Sequence, residues 1–138
     1  MATPRGLRNN NPLNIRHSRD VFHGEICPGT DKSFKQFESA AYGYRAAFLT
    51  LGTYLKRGWN TLEKIISHWA PPTENNTEGY IKKVANGSHV PRNKVLTDTD
   101  GEDFIAIAMA MTLVENGIPG KIQDVRAGFA LQNRIKLK

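Results

Sequence analysis

Glu115 follows the longest apolar run of the chain, Phe104 to Val114, and is itself followed by Asn116-Gly117. A carboxyl group at the end of an apolar helix is partly desolvated. Desolvation raises its pKa and holds it protonated near neutral pH, the state a general acid needs. The structural alternative for Glu115 is an exposed residue in the last turn of a helix. A second group of candidates is rich in amides. Asn9, Asn10, Asn11 and Asn14 lie within six residues, and each amide offers a donor and an acceptor together, a pairing suited to hydroxyl and N-acetyl groups. Asn side chains also cap backbone groups, so Asn11 and Asn14 divide between binding and building a turn. Trp59, Trp69, Tyr42 and Tyr80 can stack on flat apolar faces, although Trp69 and Tyr80 also fit buried helical stripes. Arg45 suits a cleft carboxylate or a structural ion pair.

Other chemistries find less support. Cys27 is the single cysteine, so an internal disulfide and a cysteine-based zinc site are excluded. His17, His23, His68 and His89 show no metal-ligand spacing, and Asp98-Thr99-Asp100-Gly101 lacks the length of a calcium loop and reads as a helix cap. No metal and no cofactor is expected. The formal charge of +6 favours an acidic partner, whether nucleic acid, anionic lipid or bacterial wall. Its cations are spread along the chain without a dense block or a nucleic-acid-binding motif, which argues against nucleic acid. The longest apolar run is too short for a membrane span of about 20 residues. No apolar segment follows Met1, so synthesis in the bacterial cytoplasm without an export signal is expected.

The elements that must position these groups follow from pattern. With 138 residues the chain fits one domain over 1–138. Pro4, Gly6 and Pro12 argue for a looped segment over residues 1–12. Leu13-Asn14-Ile15, Val21-Phe22 and Phe34 to Phe37 are short β-capable pieces separated by turns, which predicts a small antiparallel sheet near the N-terminus. Phe37, Ala41, Tyr44, Phe48, Leu51 and Leu55 recur at helical spacing and predict a helix over 38–57. Asn60-Thr61-Leu62-Glu63 resembles a capping box with Asn60 as cap, opening a helix that Pro71-Pro72 ends. A third helix is predicted over 75–85, closed by Asn86-Gly87-Ser88. A fourth starts at Asp100, Glu102 and Asp103 and breaks at Gly117 and Pro119, and a last one covers 121–134. The fold class expected is α+β, mainly α, with about five helices.

Three segments together carry a resemblance. They are Arg5-Gly6-Leu7-Arg8-Asn9-Asn10-Asn11-Pro12-Leu13-Asn14-Ile15, then Phe34-Lys35-Gln36-Phe37 with Gly43-Tyr44-Arg45-Ala46, and Trp69-Ala70-Pro71-Pro72 with Glu74-Asn75 and Thr77. In this order they resemble phage virion-associated structural proteins with a lysozyme-like domain, over nearly the whole chain. The resemblance implies a lysozyme-like fold, bacterial peptidoglycan as partner alongside other virion proteins, and action at the cell wall, reached by virion or lysis. The implied activity is glycan-strand cleavage by a muramidase, glucosaminidase or lytic transglycosylase. Such cleavage needs a protonated acid beside the leaving oxygen and usually a second carboxylate. Glu115 is the candidate acid, and Glu25 or Asp31, in the expected sheet region, the second carboxylate. Both also suit solvated turns. Asn9, Asn11, Asn14, Arg45, Glu74 and Asn75 are the candidate substrate-binding residues, although Glu74 and Asn75, like Glu38, also suit a helix start. The alternative function is a non-catalytic virion or wall-binding module with the same fold.

The chain is also similar, more distantly, to wall-cleaving glucosaminidases of the lysozyme superfamily. There a helix ending in a catalytic glutamate precedes an Asn-rich turn, a small sheet and another helix. Here the Asn-rich turn, the sheet and the 38–57 helix come first and the helix ending at Glu115 comes near the end, the order a circular permutation gives. That arrangement requires Glu115 to lie against the Asn9 to Asn14 segment.

Overall fold

The computed structural model describes residues 2–73 and 75–138. Among the described residues six helices follow in chain order: α1 (Arg5–Arg8), α2 (Ala40–Lys56), α3 (Leu62–Trp69), α4 (Thr77–Ser88), α5 (Gly101–Asn116) and α6 (Ile122–Ala130). The mainly helical expectation is met. α5 is apolar on nearly all sides, as a helix must be to lie inside a domain, and it packs against α1, α2, α4 and α6. Phe104, Ile107, Ala108 and Met111 of α5 are fully buried, and Phe48 of α2 meets Phe129 of α6 edge to face at 5.2 Å. The hydroxyls of Tyr44 and Thr112, both buried, satisfy each other at 2.8 Å across α2 and α5.

The N-terminal expectations need correction. Residues 5–8 form one short helical turn instead of loop, continued by Asn9 and Asn10, and Asn10 takes the left-handed φ of 52° that asparagine tolerates better than most residues. Among the described residues the expected sheet is reduced to two isolated antiparallel bridges, Arg16 with Phe34 and Glu25 with Phe37. The reason lies in the asparagines, whose side chains occupy backbone groups a ladder would use. Asn11 Nδ2 donates to the carbonyls of Ile15 and Lys35, both at 2.9 Å, and its Oδ1 accepts from the Ile15 N–H. Asn10 Nδ2 donates to the Phe37 carbonyl at 3.1 Å. Amide side chains replace strand pairing.

Helix ends shift in smaller ways. Thr61, not Asn60, caps α3, because its hydroxyl accepts from the Lys64 N–H at 3.3 Å while the Asn60 carbonyl accepts from Leu96 N–H. α4 runs through Asn86-Gly87-Ser88 and stops at His89, which has the left-handed φ of 59°. The Ser88 hydroxyl bonds the Val84 carbonyl within the helix, so the polar triplet does not end it. α6 is shorter than predicted.

α2 and α6 pack closely at Gly128. A Cβ there would lie 2.6 Å from the Ala41 carbonyl oxygen and 2.8 Å from the Arg45 nitrogen, both rigid backbone. Gly128→Ala is expected to destabilise the fold by about 2–3 kcal/mol through overpacking; urea denaturation checks this, and an unchanged midpoint contradicts it.

Candidate functional site

α5 carries Glu115 in its last turn, and Gly117 ends the helix with a left-handed φ of 75°. Asn116 fixes this end against the N-terminal segment. Its Nδ2 donates to the Pro12 carbonyl at 2.8 Å and to the Thr112 carbonyl at 3.0 Å, while its Oδ1 accepts from the Leu7 N–H at 3.1 Å. The junction sets Asn14 beside Glu115. Asn14 Nδ2 donates to Glu115 Oε1 at 2.9 Å, and from α4 the Tyr80 hydroxyl donates to Oε2 at 2.8 Å.

Glu115 is half-buried, and burial raises its pKa above the ordinary glutamate value. The hydrogen bonds from Asn14 and Tyr80 and the charge of Arg16 offset this only in part. Its place at a helix C-terminus, near the negative end of the macrodipole, disfavours ionisation as well. Tyr80 is buried, and burial together with the neighbouring carboxylate pushes its phenol well above the usual value, so it remains a donor.

Asn14 is held under strain. It has a left-handed φ of 54°, and its Oδ1 is the one buried side-chain polar atom without a hydrogen-bond partner among the described residues. An unsatisfied buried acceptor costs about 1–3 kcal/mol. Such costs gather where the rest of the structure over-determines a conformation.

A cleft of about 220 Å³ opens at Asn14 and is walled by Ile15, Arg16, Thr50, Tyr54 and Trp69. The Trp69 indole donates to the Leu13 carbonyl at 3.3 Å, which fixes the ring. Tyr54 meets Trp69 and Trp59 edge-on, and Trp59 stacks on His68 at 3.6 Å. One aromatic cluster thus borders the cleft.

The other candidate residues are placed elsewhere or committed to the fold. Asp31 accepts both guanidinium donors of Arg5 at 2.7 Å, Asn9 Nδ2 at 3.0 Å, and the backbone N–H groups of Ser33 and Phe34. Arg5, followed by Asn9 and the backbone donors, holds its carboxyl far below the usual range. Glu25 forms a buried ion pair with Lys35, at 3.0 Å to each oxygen, and Lys35 completes its donors on the Asp20 carbonyl. Neither is in a solvated turn, and neither hydrogen-bonds Glu115. Asn9 also accepts from Gln36 and, with Asn11, is buried structure. Arg45 bonds the Leu131 carbonyl at 3.2 Å, away from Glu115. Asn75 bonds the Pro71 carbonyl on the surface. Glu74 lies outside the described residues. Of the candidates the structure therefore brings Asn14 to Glu115 and, separately, Asn9 to Asp31. Sequence reasoning missed Tyr80 as a partner, although a buried tyrosine hydroxyl needs an acceptor, and it missed Tyr54 and Thr50 altogether.

No protein-family model matches the chain. Its sequence is 42% identical over 130 residues to Protein P5 of Pseudoalteromonas phage PM2, across 91% of this chain and 79% of that protein. This is a phage protein. The chain belongs to the family of Protein P5.

Two pH dependences follow. The folded pKa of Asp31 is depressed, so its stabilisation is present above the unfolded value of about 4 and is lost as pH falls toward the folded value. The lead in melting temperature of wild type over Asp31→Asn should narrow as pH drops below about 4; a constant gap contradicts the assignment. The folded pKa of Glu115 is raised, so its ionisation works against the fold as pH climbs above about 4.3. Glu115→Gln should gain in melting temperature on wild type between pH 4 and pH 7, and a gap that does not widen in that direction contradicts the burial argument.

Proposed function

We propose that the chain cleaves the glycan strands of peptidoglycan with Glu115 as its general acid and without a second catalytic carboxylate, the chemistry of a lytic transglycosylase. The observation that carries this reading is the setting of Glu115, a desolvated carboxyl held by Tyr80 and Asn14 beside an aromatic-walled cleft. Glu25 and Asp31 are bound to Lys35 and Arg5, which favours a one-carboxylate mechanism over a paired one. The contact between Glu115 and the Asn-rich segment is the one a circularly permuted lysozyme-like fold requires, and it supports that fold.

The proposed reaction balances without water. Protonated Glu115 gives its proton to the bridging glycosidic oxygen, the C1–O bond breaks, and positive charge develops at C1 and the ring oxygen. The remaining carboxylate takes the proton of the 6-hydroxyl of the same sugar as that oxygen bonds C1. Glu115 ends protonated, and the product carries a 1,6-anhydro end. Each oxygen of Glu115 has two acceptor positions, so Asn14 and Tyr80 leave one position free on each for the moving proton. Their bonds hold both oxygens of the carboxyl in place, and general acid catalysis of this kind contributes about 10²–10⁴-fold. Tyr54 and Trp69 offer ring surface to sugar faces, and the Thr50 hydroxyl offers a polar group to their hydroxyls and N-acetyl groups. Delivery in the virion, with action at the cell wall, fits a phage protein with this chemistry.

Purified protein incubated with peptidoglycan should release fragments with anhydro ends by mass spectrometry, and Glu115→Gln should slow release by about 100-fold or more. Reducing ends would replace transglycosylation with hydrolysis. Wall binding without fragment release would make the chain an attachment module, and unaltered cleavage by Glu115→Gln would remove Glu115 from the acid role.

A further inference from the structure

The cleft at Asn14 does not end at its aromatic wall. Thr50 and Tyr54 also wall a second cleft of about 470 Å³, and Arg134 joins the second to a third of about 580 Å³. Residues of α2 contribute to all three, so the series passes around that helix from the Asn14 cleft. Its lining is cationic. Arg45, Arg57 and Arg134 face the second cleft against one carboxylate, Asp20, and Lys56 and Lys136 join Arg134 in the third against Asp98.

Elsewhere on the surface some cations are matched by carboxylates, while Arg8, Arg19, Lys32, Lys64, Lys83 and Lys121 form no ion pair among the described residues. Arg5 pairs with Asp31, Arg92 with Glu63 and Glu78, Lys94 with Asp103, and Arg126 with Glu102. Along the clefts the arginines are held by groups other than carboxylates. Arg45 bonds a backbone carbonyl, Arg134 bonds the Leu49 carbonyl and the Thr53 hydroxyl, and Arg57 lies over the Trp59 ring at 5.3 Å. Among the described residues none of these three has a carboxylate within ion-pair distance. Cationic charge is concentrated where an elongated ligand leaving the Asn14 cleft would run.

We infer that these clefts bind the carboxylates of the peptide branches on the glycan, so that the chain selects strands still carrying acidic peptides over bare glycan. This rests on the proposed glycan substrate and adds a determinant of which strands are taken. A strand stripped of its peptides keeps only the short lactyl carboxylate held against its sugar ring, whereas the branches carry carboxylates out from the strand to where the planar donor forks of the arginines lie. Each exposed pair contributes little alone, and several along one path discriminate. A nucleic acid would also match the charge. The clefts, however, are separate pockets continuous with an aromatic-walled one, a form suited to carboxylates spaced along branches and less to a uniform phosphate run.

The test is co-sedimentation with intact sacculi and with glycan strands stripped of peptides by an amidase, using the Glu115→Gln protein so that binding is read apart from cleavage. Wild-type protein on ice is run in parallel. Both are expected to bind stripped strands about fivefold or more weakly, the effect of two or three exposed pairs. The double variant Arg45→Gln, Arg57→Gln should lose the same factor on intact sacculi and nothing further on stripped strands, and Arg57→Lys should recover part of the loss. Circular dichroism confirms that the variants fold. Equal binding to both polymers, binding to neither, or tighter binding to duplex DNA at 0.15 M salt overturns the inference. A preserved preference in a protein that never releases fragments would instead overturn the catalytic reading alone.

Discussion

The amide of Asn116 is the contact on which the rest of this site depends. It bonds the Pro12 carbonyl and the Leu7 N–H at once, and so joins the end of the central helix to a segment about a hundred residues earlier. Without that junction nothing would bring Asn14 to Glu115. Gly6 shows how tightly it is closed, because a Cβ there would lie 2.5 Å from Asn116 Oδ1 and 2.8 Å from Asn14 Oδ1. The strain at Asn14, in its backbone and its unpartnered oxygen, is sustained by the packing around it.

Electrostatic differences among three carboxylates separate their roles. Asp31 and Glu25 each have a full set of donors, including a cation, and these bonds pin the loop between Asn14 and α2 where a sheet was expected. Glu115 has two neutral donors and a more distant cation in Arg16, so burial dominates and its proton is retained to higher pH. A carboxyl satisfied by a cation is a brace, and a carboxyl satisfied by neutral donors can still exchange a proton. That contrast underlies the one-carboxylate chemistry proposed for the cleft.

Much of this was legible in the sequence where one dominant pattern governed. The apolar run of α5, the helical spacing of α2 and the Gly117 stop all appear as read, and so does the desolvation of Glu115. The legible part ended where side chains compete with backbone. Nothing in the composition of residues 9–37 tells that Asn10 and Asn11 would take the carbonyls of Phe37 and Lys35 and leave only bridges. Nor does Lys35 announce itself as a buried cation, since its burial depends on Glu25 and the Asp20 carbonyl closing around it. Tyr80 was correctly legible as a buried residue of α4, but the destination of its hydroxyl depends on how α4 packs on α5. Spacing along one helix carries no such information.

The proposed chemistry depends on a single physical property, the desolvation of Glu115 beside the junction made by Asn116. Titration of the Glu115 side-chain carboxyl by ¹³C NMR reads it directly. A midpoint clearly above the ordinary glutamate value of about 4.3 is expected. A midpoint at or below that value would mean that Asn14, Tyr80 and Arg16 outweigh burial, and would contradict a glutamate held protonated to act as an acid.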